Sequence, residues 1–313
     1  MIQSYAPPAL EEIEAARERI AGTVIRTPLV RFDDDVYLKL ENLQPIGSFK
    51  LRGAGNALAL GGSVERLWTA SAGNMAQAVA WHARERDVPC SVVVPETAPH
   101  TKLDAVARLG AEVVKVPPET WFEVFRTRQY PGMDGCFVHP FSDPAVIAGN
   151  GTIGLEIAED LPDVDAVIVP YGGGGLIGGI ASALCAVAPR CKIYACEVET
   201  AAPLAAALEA GEPVEVEHGG SFVDGMGGPR VFPEMFELVR QLVEGSIVLS
   251  VEQIAKAVRL LAERSRVVAE GAGAAPLAAA LTGRAGTGKI VCVVSGGNID
   301  SEVLRTILAG ETP

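Results

Sequence analysis

A chain of 313 residues, 49 % apolar and 21 % charged, is long enough for a sizeable core in two lobes and reads as globular. Its net charge of −13, with no block of lysine or arginine, argues against a nucleic-acid partner, because affinity for a phosphate backbone rests on clustered positive charge. No basic patch followed by an apolar run opens the sequence, so no export is expected and a cytoplasmic location is.

One stretch imitates a membrane span, since no charge occurs between Asp165 and Arg190. Pro170 and the glycines at 172–175 would break a lipid-exposed helix there, so a buried strand, a glycine loop and a buried helix fit better, and no membrane partner is expected. The cysteines (Cys90, Cys136, Cys185, Cys191, Cys196, Cys292) form no C-x-x-C pair and read as small buried apolar residues. The four histidines are dispersed without an H-E-x-x-H, so zinc chemistry has no support.

In chain order, Leu10, Ile13, Ala16 and Ile20 fall at helical spacing and predict a surface helix over 8–21. A strand over 37–40 ends in the Pro45-Ile46-Gly47 turn, and Ser48 stands where the N-cap of a helix over 51–60 belongs. Alternation follows: strand 67–70, helix 76–86, strand 91–94, helix 101–109, strand 112–116. The second half gives helix 150–159, strand 165–169, helix 176–187, strand 192–196, helix 251–264 and strand 290–294, with 211–233 as loop. Short strands alternating with helices predict an α/β fold with parallel sheets covered on both faces, and sites at the carboxyl ends of the strands.

Four segments carry chemistry. Gly47-Ser48-Phe49-Lys50 puts a lysine in the first turn of a helix, where the dipole and partial desolvation disfavour its charge. A neutral amine of this kind attacks an aldehyde; the plainer reading is a surface lysine beside a buried ring. Ser71-Ala72-Gly73-Asn74-Met75 joins a strand to a helix and leaves backbone N–H groups for an anion, or is simply a turn. Gly172-Gly173-Gly174-Gly175-Leu176 removes every Cβ where a phosphate would approach a helix N-terminus. Ser295-Gly296-Gly297-Asn298 follows the last strand and can turn a hydroxyl into the same crevice, or mark a tight turn.

In this order and spacing the four segments resemble the serine/threonine dehydratase and serine racemase family of fold-type II pyridoxal-phosphate enzymes. The likeness runs from Arg26-Thr27-Pro28 to Asp300 and includes His139-Pro140, Ala148-Gly149, Asp224-Gly225 and Glu270. It implies two open, mostly parallel twisted sheets of the tryptophan synthase β type. The large cofactor-binding domain would span 1–65 and 144–313, and the small one 66–143. It implies pyridoxal phosphate held as a Schiff base on Lys50, with Phe49 behind the ring and Asn74 on the ring hydroxyl. Gly172 to Leu176 would surround the phosphate, Ser295 would meet the pyridine nitrogen, and Gly225 and Glu270 would complete the cofactor site. Ser71, Gly73, Asn74 and Met75 would border the substrate carboxylate, and a homodimer is implied.

Three departures stand out. Met75 replaces the family's histidine, which points to a substrate more apolar than serine. Ala72 matches the dehydratases, whereas the racemases have serine there. Glu197 corresponds to the first acid of the family's cation site, but Pro203 replaces the second, so a monovalent or divalent cation is only an option. The regulatory C-terminal domain of the biosynthetic threonine enzymes has no counterpart in the sequence.

The chemistry implied is β-elimination from a small β-hydroxy amino acid, with Lys50 as general base, giving a 2-keto acid and ammonia. Ser295, a weak acid, would leave the pyridine nitrogen unprotonated, which favours expelling the β-hydroxyl. Racemase, β-lyase and β-replacement chemistries are the alternatives within the fold. In another class, Gly173-x-Gly175-x-x-Gly178 with Glu197 about 20 residues on fits a dinucleotide fingerprint and makes an NAD-dependent oxidoreductase the rival, but it leaves the lysine and Ser295 segments unexplained. The G-x-x-x-x-G-K run at 283–289 is followed by isoleucine and a strand, which rejects a nucleotide triphosphatase. A non-catalytic sensor gains no support, because the lysine is intact.

Overall fold

The computed structural model describes residues 5–62 and 64–313; residues 1–4 and 63 lie outside the description. In chain order its first half contains α1 (Leu10–Ile20), β1 (Leu29–Arg31), β2 (Val36–Lys39), α2 (Lys50–Leu60), β3 (Leu67–Ala70) and α3 (Asn74–Glu85). There follow β4 (Cys90–Pro95), α4 (His100–Arg108), β5 (Glu112–Val116), α5 (Pro118–Thr127), β6 (Cys136–Phe137) and α6 (Pro144–Asp160). The second half adds β7 (Ala166–Pro170), α7 (Gly175–Val187), β8 (Lys192–Val198), α8 (Pro203–Ala210), α9 (Pro233–Val239) and β9 (Gly245–Leu249). It closes with α10 (Val251–Leu260), α11 (Gly271–Leu281), β10 (Ile290–Val293) and α12 (Ser301–Leu308).

Two sheets result. One has six strands in the order β1-β2-β10-β7-β8-β9, parallel except for the β1–β2 edge pair. The other has four parallel strands, β5-β4-β3-β6. The central strands read as unbroken apolar runs because both of their faces are covered. Ala166, Ile168, Ile290 and Cys292 point into one core with α10 and α11. Val167, Val169, Val291 and Val293 point into the opposite core with α6, α7 and α9. The small sheet is covered by α2, α3 and α4 on one face and by Val124 of α5, with its neighbours Trp121 and Phe125, on the other.

Every predicted strand and helix is present; β3 and β5 have the predicted ends and the others are shifted. Ser48 does not cap α2: Phe49 occupies the N-cap position, and the buried Ser48 hydroxyl has no hydrogen-bond partner among the described residues. Helix α3 starts two residues before its predicted first turn, at Asn74. Helix α6 starts six residues early because Asp143 accepts from the amides of Ala145 and Val146 and Pro144 takes the first helical position. The helix predicted over 251–264 stops at Leu260, and a π-turn at Leu261–Ser265 ends on Arg266 in the left-handed region. The uncharged stretch forms β7, a glycine turn and α7, and no described helix is long and apolar enough to cross a membrane. The cysteine reading is half corrected: all six are free, but only Cys90, Cys196 and Cys292 are buried, and Cys185 is exposed.

A buried ionic cluster fixes helix α2, whose first residue is Lys50. The Arg52 guanidinium meets Glu41 at 2.8 Å and Glu156 at 2.7 Å, and Lys39 Nζ meets Glu156 at 2.6 Å. None of the four is more than 5 % exposed. Thr27 and Thr152 hydroxyls and the Thr27 and Ile25 carbonyls complete the set, so two cations and two anions are paired and solvated by protein dipoles.

Candidate functional site

Between the two sheets lies a cavity of about 340 Å³. The N-termini of α2, α3, α7 and α11 meet there, and no side chain caps any of the four. Uncapped helix N-termini leave backbone donors for an anion. Phe49, Lys50, Ser71, Gly73, Asn74 and Met75 line the cavity, together with Gly172, Gly173, Gly174, Gly175, Leu176, Gly225, Glu270 and Ser295. The structure therefore brings together every predicted site residue except Glu197.

The lysine turn is stitched to the end of β10. Phe49 N donates to Ser295 O at 3.0 Å, Gly297 N donates to Gly47 O at 2.9 Å, and Ser48 bridges Gly296. Gly47 has φ +73°, and a Cβ there would lie 2.7 Å from Asn298 Oδ1. Lys50 Nζ donates to Pro140 O at 2.6 Å and lies 5.0 Å from the Phe49 ring centroid. Burial, opposed by the charge of Glu270, lowers its pKa to about 8. The turn after Pro140 is held by His139, whose Nδ1 accepts from Phe141 N at 3.3 Å and Ser142 N at 2.8 Å; burial and nearby cations lower that imidazole to about 3, so it is neutral.

The glycine run is required by packing as well as by any anion. A Cβ on Gly173 would fall 2.0 Å from the Phe141 ring, one on Gly175 would fall 2.8 Å from Phe141 O, and Gly174 has φ +88°. Gly172 alone has room for a methyl. Across the cavity Asn74 Nδ2 donates to Glu270 Oε1 at 2.9 Å, and Asn74 Oδ1 accepts from Asn298 at 2.7 Å. Burial, with Asp224 nearby, raises the Glu270 carboxyl to about 7. Met75, 1 % exposed, packs into the small-sheet core and presents no polar group to the cavity.

Glu197 is placed differently from both of its predicted uses. It accepts from Leu204 N and Ala205 N at 2.8 Å each and from the Ser246 hydroxyl at 2.6 Å, so it holds the start of α8. It is outside the cavity lining, which removes the acid that a dinucleotide fold would set on a ribose. Among the described residues no cluster of three or more His, Cys, Asp or Glu could hold a metal. The run at 283–289 also lies outside the lining and leads into β10.

Sequence reading missed eight cavity residues: Pro95, Lys102, Trp121, Phe141, Pro170, Met226, Gly227 and Ala272. Lys102 Nζ pairs with Asp224 at 2.6 Å, tying α4 to the 211–232 loop beside the cavity. Trp121 was hidden because α5 was not predicted, although Pro117-Pro118 marks its start. Phe141 could have been found from its place directly after His139-Pro140.

Pyridoxal phosphate fits this set. Uncapped helix ends and a glycine cradle suit its phosphate, a buried hydroxyl at Ser295 suits a neutral ring nitrogen, and a lysine of lowered pKa suits its aldehyde. Capture of the cofactor by the apoenzyme is expected to speed up with pH and reach half its limiting rate near pH 8, because only the neutral Lys50 amine adds to an aldehyde. Stopped-flow absorbance checks this, and a rate still climbing as for an ordinary lysine beyond pH 10 would contradict the burial argument.

The model of the family described as "Pyridoxal-phosphate dependent enzyme" matches residues 20–296. An L-threonine ammonia-lyase of Thermotoga maritima is 40 % identical over 313 residues, covering 96 % of this chain and 78 % of that one. The crystal structure of a T.th. threonine deaminase superposes with TM-score 0.87 at 36 % identity, over 94 % of this chain and 99 % of that one. Maize serine racemase superposes with TM-score 0.88 at 31 % identity, over 97 % and 98 %. With its lysine turn, glycine cradle and buried serine in one cavity, and with these likenesses over nearly its whole length, the chain belongs to the pyridoxal-phosphate dependent enzymes.

Proposed function

We propose that the protein is an ammonia-lyase of the serine/threonine dehydratase type, converting a β-hydroxy amino acid into a 2-keto acid and ammonia. One observation carries the reading: Lys50, with its pKa lowered to about 8, sits in the same cavity as Ala72, where the family's racemases have serine. When bound, pyridoxal phosphate supplies an aldehyde for the substrate amine and a ring that accepts charge from the α-carbon.

The chain's own residues do the rest. Lys50 would hold the cofactor, and its Nζ, once released, would take the α-proton, a transfer that needs a neutral amine. Phe49 would back the ring, Asn74, Gly225 and Glu270 would border it, and Ser295, a weak acid, would leave the ring nitrogen neutral. Gly172 to Leu176 would hold the phosphate. Ser71, Gly73 and Asn74 would hold the substrate carboxylate, and Met75, turned into the small-sheet core, adds no polar side chain there. Ala72, which also lines the cavity, offers only a methyl and so no second proton, which favours elimination over racemisation. The β-hydroxyl leaves with a proton as water, and one water later adds at the α-carbon as its bond to nitrogen breaks, leaving the 2-keto acid and ammonia.

The division into a large unit (1–65 with 144–313) and a small one (66–143) belongs to the same reading. It is supported by the four-stranded sheet, which lies wholly within the small unit, although α2 packs against that sheet from outside it. A cytoplasmic homodimer is part of the reading and rests on family likeness alone. The test is release of 2-keto acid from a set of β-substituted amino acids by the cofactor-loaded protein. Release from serine, threonine or a larger β-hydroxy amino acid is expected. No release from any, or faster interconversion of L- and D-serine than keto-acid formation, overturns the reading.

A further inference from the structure

We propose that Trp121 sets the substrate class, selecting β-hydroxy amino acids whose β-carbon carries an aryl or other bulky apolar group. The inference rests on the dehydratase reading above and extends it to the side of the cavity that the reading leaves unassigned. That side is formed by Pro95, Trp121, Pro140 and Phe141. Lys50, on the Pro140 carbonyl at 2.6 Å, is committed to the cofactor in that reading, and Lys102, the other lysine lining the cavity, is already paired with Asp224 at 2.6 Å, so an acidic substituent would meet a neutralised lysine beside a carboxylate.

The wall is stiff. Trp121 packs on Phe125 at 5.3 Å between centroids, Phe125 packs on Phe141 at 5.5 Å, and Phe141 meets Phe232 edge-on at 5.2 Å. Phe141 in turn seats against Gly173, which joins the aromatic wall directly to the cofactor cradle. Met75 is turned into the small-sheet core and sets no polar side chain beside this wall. The Trp121 indole N–H is buried and has no partner among the described residues, and the π face of an aryl group can accept it. A hydroxymethyl group would leave this wall facing water. An aryl group covers it, in the offset or edge-on contacts that aromatic rings favour.

The test compares kcat/KM of the holoenzyme for 3-phenylserine, threonine and serine. The ratio of phenylserine to threonine is expected to exceed about tenfold and to fall about tenfold or more in Trp121→Ala, mainly through KM, with Trp121→Phe retaining most of it. A wild-type ratio below one, or a ratio unchanged in Trp121→Ala, overturns the inference. Matching circular dichroism and cofactor absorption establish that a variant is folded; should Trp121→Ala not fold, Trp121→Leu takes its place under the same criterion. Calorimetric titration with L-phenylalanine and L-alanine separates the two readings. Without keto-acid release from any substrate the dehydratase reading fails, while tighter binding of phenylalanine that is lost in the variant still supports the apolar subsite, and equal binding overturns it.

Discussion

With Lys50 replaced by alanine, 2-keto acid release is expected to fall on the order of 10³-fold, and borohydride reduction of the cofactor-treated protein is expected to leave no label at position 50. Lys50 and Lys102 are the two lysines that line the cavity, and Lys102 is engaged by Asp224. Only Lys50 combines the lowered pKa with a place at the head of α2, beside the Phe49 ring. Peptide mapping of the reduced wild type checks the assignment. A label on another lysine, or a variant with near-normal turnover, would refute it.

Arg52→Ala is expected to cost about 3–5 kcal/mol of folding stability, the loss typical when one partner of a buried ion pair is removed. The side chain is 1 % exposed and holds both Glu41 and Glu156. Burial pushes the Glu41 carboxyl up, but Arg52 outweighs it and holds the group below its ordinary value. Without Arg52 the burial effect prevails and the folded state binds a proton that the unfolded state releases. The defect is therefore smallest at acid pH and grows as pH rises past the ordinary carboxylate range. Denaturant unfolding at pH 5 and 8 measures it. A loss under 1 kcal/mol at pH 8, or one larger at pH 5, would show that the cluster does not anchor α2.

The parts of the fold that were legible in sequence are those with a local signature. β7, β10 and β3 are short apolar runs bounded by turns, and α1 has a polar face. Helix α11 has no such face: Gly-Ala-Gly-Ala-Ala-Pro-Leu-Ala-Ala-Ala-Leu is buried almost all round and includes Pro276, so neither periodicity nor propensity marks it. Strand β9 has Gly245 and Ser246 in its first half and takes its place from pairing with β8. At the site, Lys50, the glycine run and Ser295 could be found because each sits in a short motif whose spacing is set by a turn. The reason behind the glycines could not be found, since Phe141, which contacts them, lies 32 residues before Gly173. Glu197 misled because an acid about 20 residues beyond a glycine turn fits two functions, and only the packing of α8 and Ser246 reveals a third.

The stitching of residues 47–49 to 295–297 has a temporal consequence. The amine at position 50 leaves the ribosome roughly 245 residues before the strand end that shapes its turn. At ~5–20 residues per second this is a delay of roughly 10 to 50 seconds. Throughout that interval the nascent lysine lacks the burial that lowers its pKa, and the reactive aldehyde finds no primed nucleophile until residues 295–297 have been made.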